Sequence, residues 1–179
     1  MFPSRRFLTR KNFLIIFALW LLCLAAFQFM FIQLKNVCGL NTILDLYFHY
    51  NSTEAMTLLT DYGSAGREIY QWTIFLDMVY PLVYGLLFWM SFTYLGERIH
   101  LHKRFIKILQ TLPYFAVVSD YLENVFELWM TLGFPDSVQQ AASIGGWITT
   151  LKWIFVYTNF LVLIFLVIIF IFGMNLRED

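Results

Sequence analysis

The residues best suited to chemistry lie in one short stretch, SDYLENVFELWM, which covers residues 119–130. Successive side chains on an α-helix turn by about 100° around its axis. One helix face, about 100° wide by the same spacing, therefore carries three acids and an amide: Asp120, Glu123, Asn124 and Glu127. Neighbouring carboxyl groups can act as general acid and base, relay protons or bind cations. We expect Asp120 and Glu123 to form a catalytic acid–base pair.

Polar stripes of the same kind run along two further apolar segments. Around Asp77, the side chains within about 60° on a helix are Tyr70, Thr73, Tyr80, Pro81 and Tyr84. A later segment has a stripe made of Gly145, Thr149, Lys152 and Asn159. Acids on two helices and a lysine on a third have complementary charge, which predicts that the stripes meet. The predicted ligand-binding cluster contains Asp77, Asn124, Glu127, Lys152, Asn159, Tyr70, Tyr80, Tyr84 and Arg67.

The members of this cluster have different expected roles. Asp77 and Lys152 are expected to set the protonation of the acid–base pair, and the tyrosines and Asn124 to orient a ligand. Arg67 lies at the start of its apolar segment. It is predicted to be either a headgroup anchor or a clamp for a phosphate or carboxylate, helped by free N–H groups of the helix start.

The elements that position these residues are predicted to cross a membrane. Of the 179 residues, 60% are hydrophobic, 20% are aromatic and only 13% are charged, which is more apolar than a soluble domain of this length. Runs long enough to cross a hydrocarbon core of about 30 Å cover about 13–34, 69–95, 108–132 and 141–172. We therefore predict an all-α, polytopic four-helix bundle that forms a single transmembrane domain over residues 1–179.

The basic residues predict the orientation of the bundle. One side of the predicted membrane has nine of them: Arg5, Arg6, Arg10, Lys11, Arg98, Lys103, Arg104, Lys107 and Arg177. The other side has only Lys35 and Arg67. The positive-inside bias then places both termini in the cytoplasm, and we interpret the membrane as a bacterial inner membrane. The first apolar run exceeds the ~7–15 residues of a signal peptide core, so we expect it to stay as a helix.

The first extracytoplasmic loop, residues 36–66, is long enough to hold structure of its own. Apolar residues at helical spacing predict two short amphipathic helices, one starting after Asn36 or Asn41 and one after Ser52. We interpret them as a lid that packs on the bundle. Asn51 opens an Asn-Ser-Thr glycosylation sequon, whose use depends on a host that the sequence leaves open.

The cost of burying charge predicts which way the stripes face. An ionised residue at the bilayer centre costs about 2.5–3.5 kcal/mol, whereas an apolar residue returns only about 0.3–0.6 kcal/mol. The acids must therefore face the bundle interior. One lysine cannot neutralise four acids, so one or more of these acids must be protonated or meet a cation. Their depth, in the outer half or near the midplane, predicts a chamber that opens outward and does not pass through.

Several classes of site are excluded by residue usage. Cys23 and Cys38 form no C-x-x-C pair, which argues against a membrane thiol oxidoreductase. All three histidines, His49, His100 and His102, fall in predicted loops, so no span offers an imidazole for haem or zinc. No cofactor, metal ion or nucleic-acid partner is predicted.

Two motifs carry a resemblance to a known group of proteins. The stretch GREIYQWTIFLDMVYPLVYG, residues 66–85, and DYLEN, residues 120–124, resemble an uncharacterised family of four-span bacterial membrane proteins. That family shares Gly-Arg-x-x-Tyr, then Asp and Tyr-Pro-x-x-Tyr, then Asp-x-x-Glu-Asn. The resemblance covers about residues 63–155 and implies the fold and the choice of polar residues. It implies no reaction.

Three functions are compatible with these patterns. The first is an outward-opening, carboxylate-rich pocket for a lipid-like or amphiphilic ligand, with acid–base chemistry as an extension. The second is a structural or assembly subunit whose polar stripes latch the bundle. The third is a proton- or cation-coupled transporter subunit, which would require a homodimer, although the nearly apolar inner halves of the second and fourth spans argue against a continuous path. Expected partners are membrane lipids, a lipid-like small molecule, and a second copy or larger membrane complex.

Overall fold

The described part of the chain is all-helical, with short links between the helices. A computed structural model describes residues 7–40 and 42–175, and no β-strand occurs in these two ranges. Arg5, Arg6, Asn41 and Arg177, used in the predictions above, lie outside them. The helices are α1 (Arg10–Cys38), α2 (Ser52–Asp61), α3 (Gly63–Asp77), α4 (Tyr80–Arg98), α5 (Lys103–Leu132) and α6 (Val138–Asn175). A single 3₁₀ turn, Leu44–Leu46, precedes α2.

Three helical stretches in the described ranges are long and apolar enough to cross a membrane: Arg10–Cys38, Gly63–Arg98 and Val138–Gly173. They contain the first, second and fourth of the predicted spans. The third predicted span lies within α5, which has 30 residues and is therefore also long enough. Its stripe of acids makes it less apolar than the other three.

The helices pack in an order that leaves α1 on the outside. Helix α5 packs on both α4 and α6, and α6 also contacts α4. Helix α1 packs on α3 and α4, and most of its large apolar side chains are exposed, as Leu22 is at 65%. Two short links, residues 99–102 and 133–137, join α4, α5 and α6 end to end. The polar stripe that runs from α3 into the start of α4 therefore lies beside the stripe of α5, which also packs on α6, and α1 lies on the outside.

The second predicted span is interrupted, which differs from the continuous helix expected for residues 69–95. Helix α3 ends at Asp77 and α4 begins at Tyr80. The cause is Pro81, because proline has no N–H to donate to the carbonyl four residues earlier and its ring crowds that carbonyl. The Asp77 carbonyl therefore loses its helical partner.

Helix α5 supplies the missing donors at this interruption. The Asn124 side chain donates from Nδ2 to the Asp77 carbonyl at 3.2 Å, and the Tyr121 hydroxyl donates to the Met78 carbonyl at 2.8 Å. Irregular backbone at membrane depth is tolerated where protein satisfies it in this way. Pro81 leaves the Asp77 carbonyl without a helical donor, and Asn124 supplies the replacement. We call this contact between the helix break and α5 the joint.

This joint makes a prediction about stability. Replacing the buried Asn124 by leucine leaves the Asp77 carbonyl without a donor, so we expect the Asn124→Leu variant to lose about 1–3 kcal/mol of unfolding free energy. Pro81→Ala restores an N–H, and in the Asn124→Leu background it should recover much of that loss. Unfolding of both variants and the double variant in detergent measures the coupling. An Asn124→Leu substitution that costs the same with and without the Pro81→Ala change would show that the joint does not exist.

The segment between α1 and α3 covers one end of the bundle, and we call residues 42–62 the lid. Its helix α2 starts after an N-cap at Asn51, whose side chain accepts from the Glu54 N–H at 2.9 Å while Glu54 accepts from the Asn51 N–H at 2.8 Å. In place of the first helix predicted for this loop, the structure has an extended segment with one 3₁₀ turn. The physical reason is that α6 side chains bind its carbonyl groups, as Thr150 does by donating to Phe48 O at 3.0 Å.

The lid can lie this close to α6 because α6 has a glycine at the contact. A Cβ atom on Gly146 would come within 1.9 Å of the Tyr50 carbonyl oxygen, a distance that no side chain can adopt. The Gly146 carbonyl also lies 3.0 Å from His49 Nδ1. Gly146 therefore sets the distance at which the lid backbone crosses α6.

Candidate functional site

Lys152 is the centre of the polar cluster. Its ammonium group forms ion pairs with the carboxylates of Asp45 in the lid and Glu123 in α5. Only 4% of the Lys152 side chain and none of the Glu123 side chain is exposed. Lys152 Nζ also donates to the Asp45 carbonyl at 3.2 Å, and Trp153 Nε1 donates to the same carbonyl at 3.0 Å. Lys152 therefore joins three parts of the chain: the lid, α5 and α6.

Asp45 is a site residue that the sequence reasoning missed. Sequence patterns place it only among the acids outside the membrane, because a loop residue has no helical phase that would assign it to the core. The one available signal is that Asp45 stands between two leucines in a segment that is otherwise apolar. Burial acts to raise the pKa of Asp45, but the attraction of the Lys152 ammonium and the hydrogen bond that it donates keep the pKa below the ordinary value. Asp45 therefore stays ionised beside Lys152.

Asp77 and Asp120 form a second acidic pair beside the first. Asp77 is 7% exposed and Asp120 is 4% exposed. The Tyr84 hydroxyl donates to Asp120 Oδ2 at 2.8 Å, and the Asp77 carboxyl lies within hydrogen-bonding reach of the Asp120 carboxyl. Asp77 Oδ2 and Asp120 Oδ1 meet no hydrogen-bond donor among the described residues. Each acid thus has a buried oxygen whose hydrogen-bonding capacity the described residues do not satisfy.

Glu127 lies apart from the Asp77–Asp120 pair, toward the lid. It is 1% exposed and lies beside the Tyr70 hydroxyl. A cavity of only about 10 Å³ separates it from Asp45 and Asp77, which is space for about one water molecule. Glu127 is therefore a buried core acid in this structure, although its sequence position makes it the member of the set expected to be shallowest in the membrane.

A much larger cavity, of about 410 Å³, extends from the acidic pair along the bundle. This volume falls within the range of about 300–1,000 Å³ that ligand sites have. Its wall comes mainly from α1, α4 and α6, and its polar lining includes Asp45, Asp77, Asp120 and Lys152. The rest of its lining is mostly apolar: Phe13, Phe17, Trp20, Leu87, Phe88, Trp153, Val156, Phe160 and Leu163.

The cavity is elongated and has a different chemistry at each end. Its lining on α6 runs from Lys152 to Leu163, and its lining on α4 runs from Tyr80 to Ser91. At about 1.5 Å per helical residue, either stretch is about 16 Å long. The charged groups are confined to the end near the lid. The cavity is thus shaped for a molecule with a polar head and an apolar chain.

The cavity is open along its apolar length and covered near the lid. Phe17 on α1 and Phe160 on α6 line it, yet they are 40% and 48% exposed, so the cavity meets the outside of the bundle between these helices. The lid, through Asp45, lies over the polar end. The outward opening expected from the depth of the acids is therefore closed by the lid here, and the open side faces where lipid chains would lie.

The remaining predicted site residues divide between the cavity and other contacts. Tyr80 lines the cavity and packs edge-on against Tyr84. Arg67 does not reach the cluster, because its guanidinium donates to the Leu59 carbonyl at 2.8 Å and lies 4.0 Å from the Phe134 ring centre. Asn159 is fully buried in α6 and donates to the Phe155 carbonyl at 2.8 Å, outside the lining of the cavity.

The cluster has more acid than base. Five carboxyl groups, those of Asp45, Asp77, Asp120, Glu123 and Glu127, accompany a single ammonium. Carboxylate oxygens of Asp45, Asp120 and Glu123 lie within 4.8 Å of one another, a spacing that suits a hard cation. Lys152 already binds two of these three acids, so the chain supplies the cation for that trio itself. Asp77 lies outside this trio, and neither Asp77 nor Asp120 forms an ion pair among the described residues.

Comparison with known proteins adds no relative. No protein-family model, no curated protein and no solved structure matches this chain. The family resemblance drawn from its two motifs therefore stays an interpretation, and the function has to be argued from the site.

Proposed function

We propose that this chain is a four-span integral membrane protein whose interior cavity binds a lipid-like or amphiphilic molecule. Three spans follow from length and apolarity, and α5 is the fourth because it packs between α4 and α6 over a similar length. The distribution of basic residues places both termini on the cytoplasmic side of what we take to be a bacterial inner membrane. The lid then lies on the extracytoplasmic side.

The observation that carries this proposal is the shape and lining of the cavity. A long apolar groove that ends at buried carboxyl groups matches an amphiphile whose chain lies along α4 and α6. The groove is exposed where Phe17 and Phe160 line it, so a lipid chain can enter sideways from the bilayer without passing the lid. Its apolar stretch also argues against an ion path, since a conducted ion needs polar groups along its whole route.

Acid–base chemistry on the bound molecule is part of the same proposal. Two facing carboxyl groups can serve as general acid and general base when one of them is protonated. The pair that reaches the cavity is Asp77 with Asp120. Glu123, expected from the sequence to be the partner of Asp120, points to Lys152 and does not line the cavity.

A second function, that of a latch, is favoured by one specific contact. Lys152 holds the lid to α5 and α6 through its two ion pairs. Such a contact positions the lid over the polar end of the cavity, so the latch and the pocket are compatible. A purely structural role would not require the long apolar cavity beside Asp77 and Asp120.

A photoreactive long-chain alcohol tests the pocket without assuming any charge on the ligand. With the protein in phosphatidylcholine vesicles, we expect cross-links to concentrate on cavity residues of α1, α4 and α6. Val156→Trp fills the cavity and should reduce this labelling to background. Ile154→Trp is the matched control, because Ile154 lies on the same helix but is 47% exposed and outside the cavity. Peptide mapping by mass spectrometry gives the readout.

Two outcomes of this experiment would contradict the pocket. Labels spread evenly over lipid-facing residues would show that the cavity holds no chain. Equal labelling of Val156→Trp and Ile154→Trp would show that the chain lies elsewhere. Melting temperatures of both variants near that of the natural protein ensure that the comparison concerns folded chains.

A further inference from the structure

We propose that the ligand of this cavity carries a positively charged amine at its polar end, bound between Asp77 and Asp120. This inference rests on the proposed pocket and adds the chemical class of the head group. It would make the protein a binder of long-chain amines or of lipids with an exposed ammonium group.

The polar end of the cavity has more acidic groups than basic ones. Lys152 is bound by Asp45 and Glu123, whereas Asp77 and Asp120 line the cavity and form no ion pair with any of the described residues. Both are more than nine-tenths buried, and each has an oxygen that meets no donor within residues 7–40 and 42–175. An ammonium group offers three donors, enough for both oxygens at once.

The net charge of Asp77 and Asp120 favours a positively charged head group. When two neighbouring carboxyl groups such as Asp77 and Asp120 share one proton, they together carry one negative charge, which a single ammonium neutralises. A carboxylate or phosphate head would instead bring a second negative charge to a buried acid, and like charges in a site of low polarity repel strongly. A hydroxyl head can bond to one acid but leaves the charge uncompensated.

The apolar length of the cavity favours an amine with a long chain over a small cation. Beyond the acids, the cavity is lined by Phe88, Val156 and Phe160, which offer no ligand to a hydrated metal ion or a short polyamine. A long apolar chain fills this part and removes it from water or lipid. The polar end of the cavity therefore fits the ammonium head of the ligand, and the apolar length of the cavity fits its chain.

Competition against the photoreactive alcohol tests the head group. Dodecylamine is protonated at pH 7, since alkyl amines resemble the lysine side chain with its pKa of about 10.4. We expect dodecylamine to displace the probe at about tenfold lower membrane concentration than dodecanol, because a hydrogen bond between two charged groups is stronger than one from a neutral hydroxyl. Dodecanoate should compete more weakly than dodecanol, and butylamine should not compete.

An acid-to-amide variant locates the amine. Asp120→Asn should remove most of the advantage of dodecylamine over dodecanol, and Asp77→Asn should do the same. Asp61→Asn, which removes an exposed acid of the lid, is the control and should keep the full advantage. Using the ratio of the two competitors cancels differences in how each enters the membrane.

The outcomes separate this inference from the proposed pocket. Equal competition by dodecylamine, dodecanol and dodecanoate would overturn the amine while leaving the pocket in place. Probe labelling of the cavity that none of the three displaces would overturn both. Displacement by butylamine as strong as by dodecylamine would show a small-cation site and overturn the amphiphile. The natural protein alone decides these outcomes, so they stand even where an amide variant fails to fold.

Discussion

Lys152→Met is expected to destabilise the protein more than any other single substitution in the cluster. The variant leaves the carboxylates of Asp45 and Glu123 facing each other without their shared ammonium. Removing one partner of a buried ion pair costs about 3–5 kcal/mol, because the other charge stays buried and unpaired. Thermal or denaturant unfolding in a mild detergent should show this loss, together with release of the lid from α6.

The double variant Lys152→Met/Glu123→Met shows whether the cost comes from stranded charge. If it does, removing Glu123 as well should return much of the lost stability, since an apolar pair of similar size can replace a buried ion pair. Lys35→Met, in the last turn of α1, controls for the loss of a lysine as such. A Lys152→Met protein as stable as the Lys35→Met protein would contradict the described ion pairs.

Gly146→Ala is expected to have the second largest effect, by pushing the lid off α6. A methyl group at this position would overlap the Tyr50 carbonyl oxygen at 1.9 Å, and backbone cannot rotate away as a side chain can. The lid must shift, which weakens the His49 contact with Gly146 and the Thr150 bond to Phe48. Overpacking of this kind costs about 1–3 kcal/mol and occasionally more. Unfolding free energy and protease access to the lid measure it.

The chain offers two matched controls for this substitution on the same helix. Gly173→Ala meets nothing within 4 Å and should be neutral or mildly stabilising, since alanine favours helix over glycine by about 0.5–1 kcal/mol. Gly145→Ala would approach side chains and not backbone, with the Tyr50 hydroxyl at 2.7 Å and Phe126 Cβ at 3.3 Å, and should fall between the two. A Gly146→Ala protein with the stability of Gly173→Ala would mean that the lid does not cross α6 here.

The burial of the acids was predictable because helical periodicity and the cost of charge in lipid act together. Side chains three, four and seven residues apart must share a face, and acids on such a face must turn inward. Asp120 and Glu123 follow this reasoning and are almost fully buried. Lys152, whose stripe on α6 was expected to face the acids, pairs with Glu123.

The contacts made by loops and breaks were not predictable on the same basis. Asp45 meets Lys152 because the lid folds back over a distance of more than a hundred residues in sequence, which no local pattern encodes. Arg67 was expected at a headgroup or ligand, but the lid offers it the Leu59 carbonyl instead. Pro81 signalled a break, yet only the position of Asn124 shows why the break lies beside an acid.

The cavity itself depends on how helices of different shape meet, and sequence patterns do not specify that. Its polar end was expected, since the stripes converge there. Its apolar length arises because α1 packs on α3 and α4 while α6 packs on α5 and α4, leaving space between aromatic side chains of α1 and α6. The arrangement of residues around the axis of one helix does not predict a gap between two neighbouring helices.

A structure of the protein in lipid nanodiscs, bound to a rigid antibody fragment for cryo-electron microscopy, tests the central claim most directly. The account predicts continuous elongated density between α1, α4 and α6, with its polar end within hydrogen-bonding distance of Asp77 and Asp120. It also predicts Lys152 between Asp45 and Glu123. Helices α1 and α6 closed against each other with no space for a chain, or acids that point separately into the surrounding lipid, would contradict it.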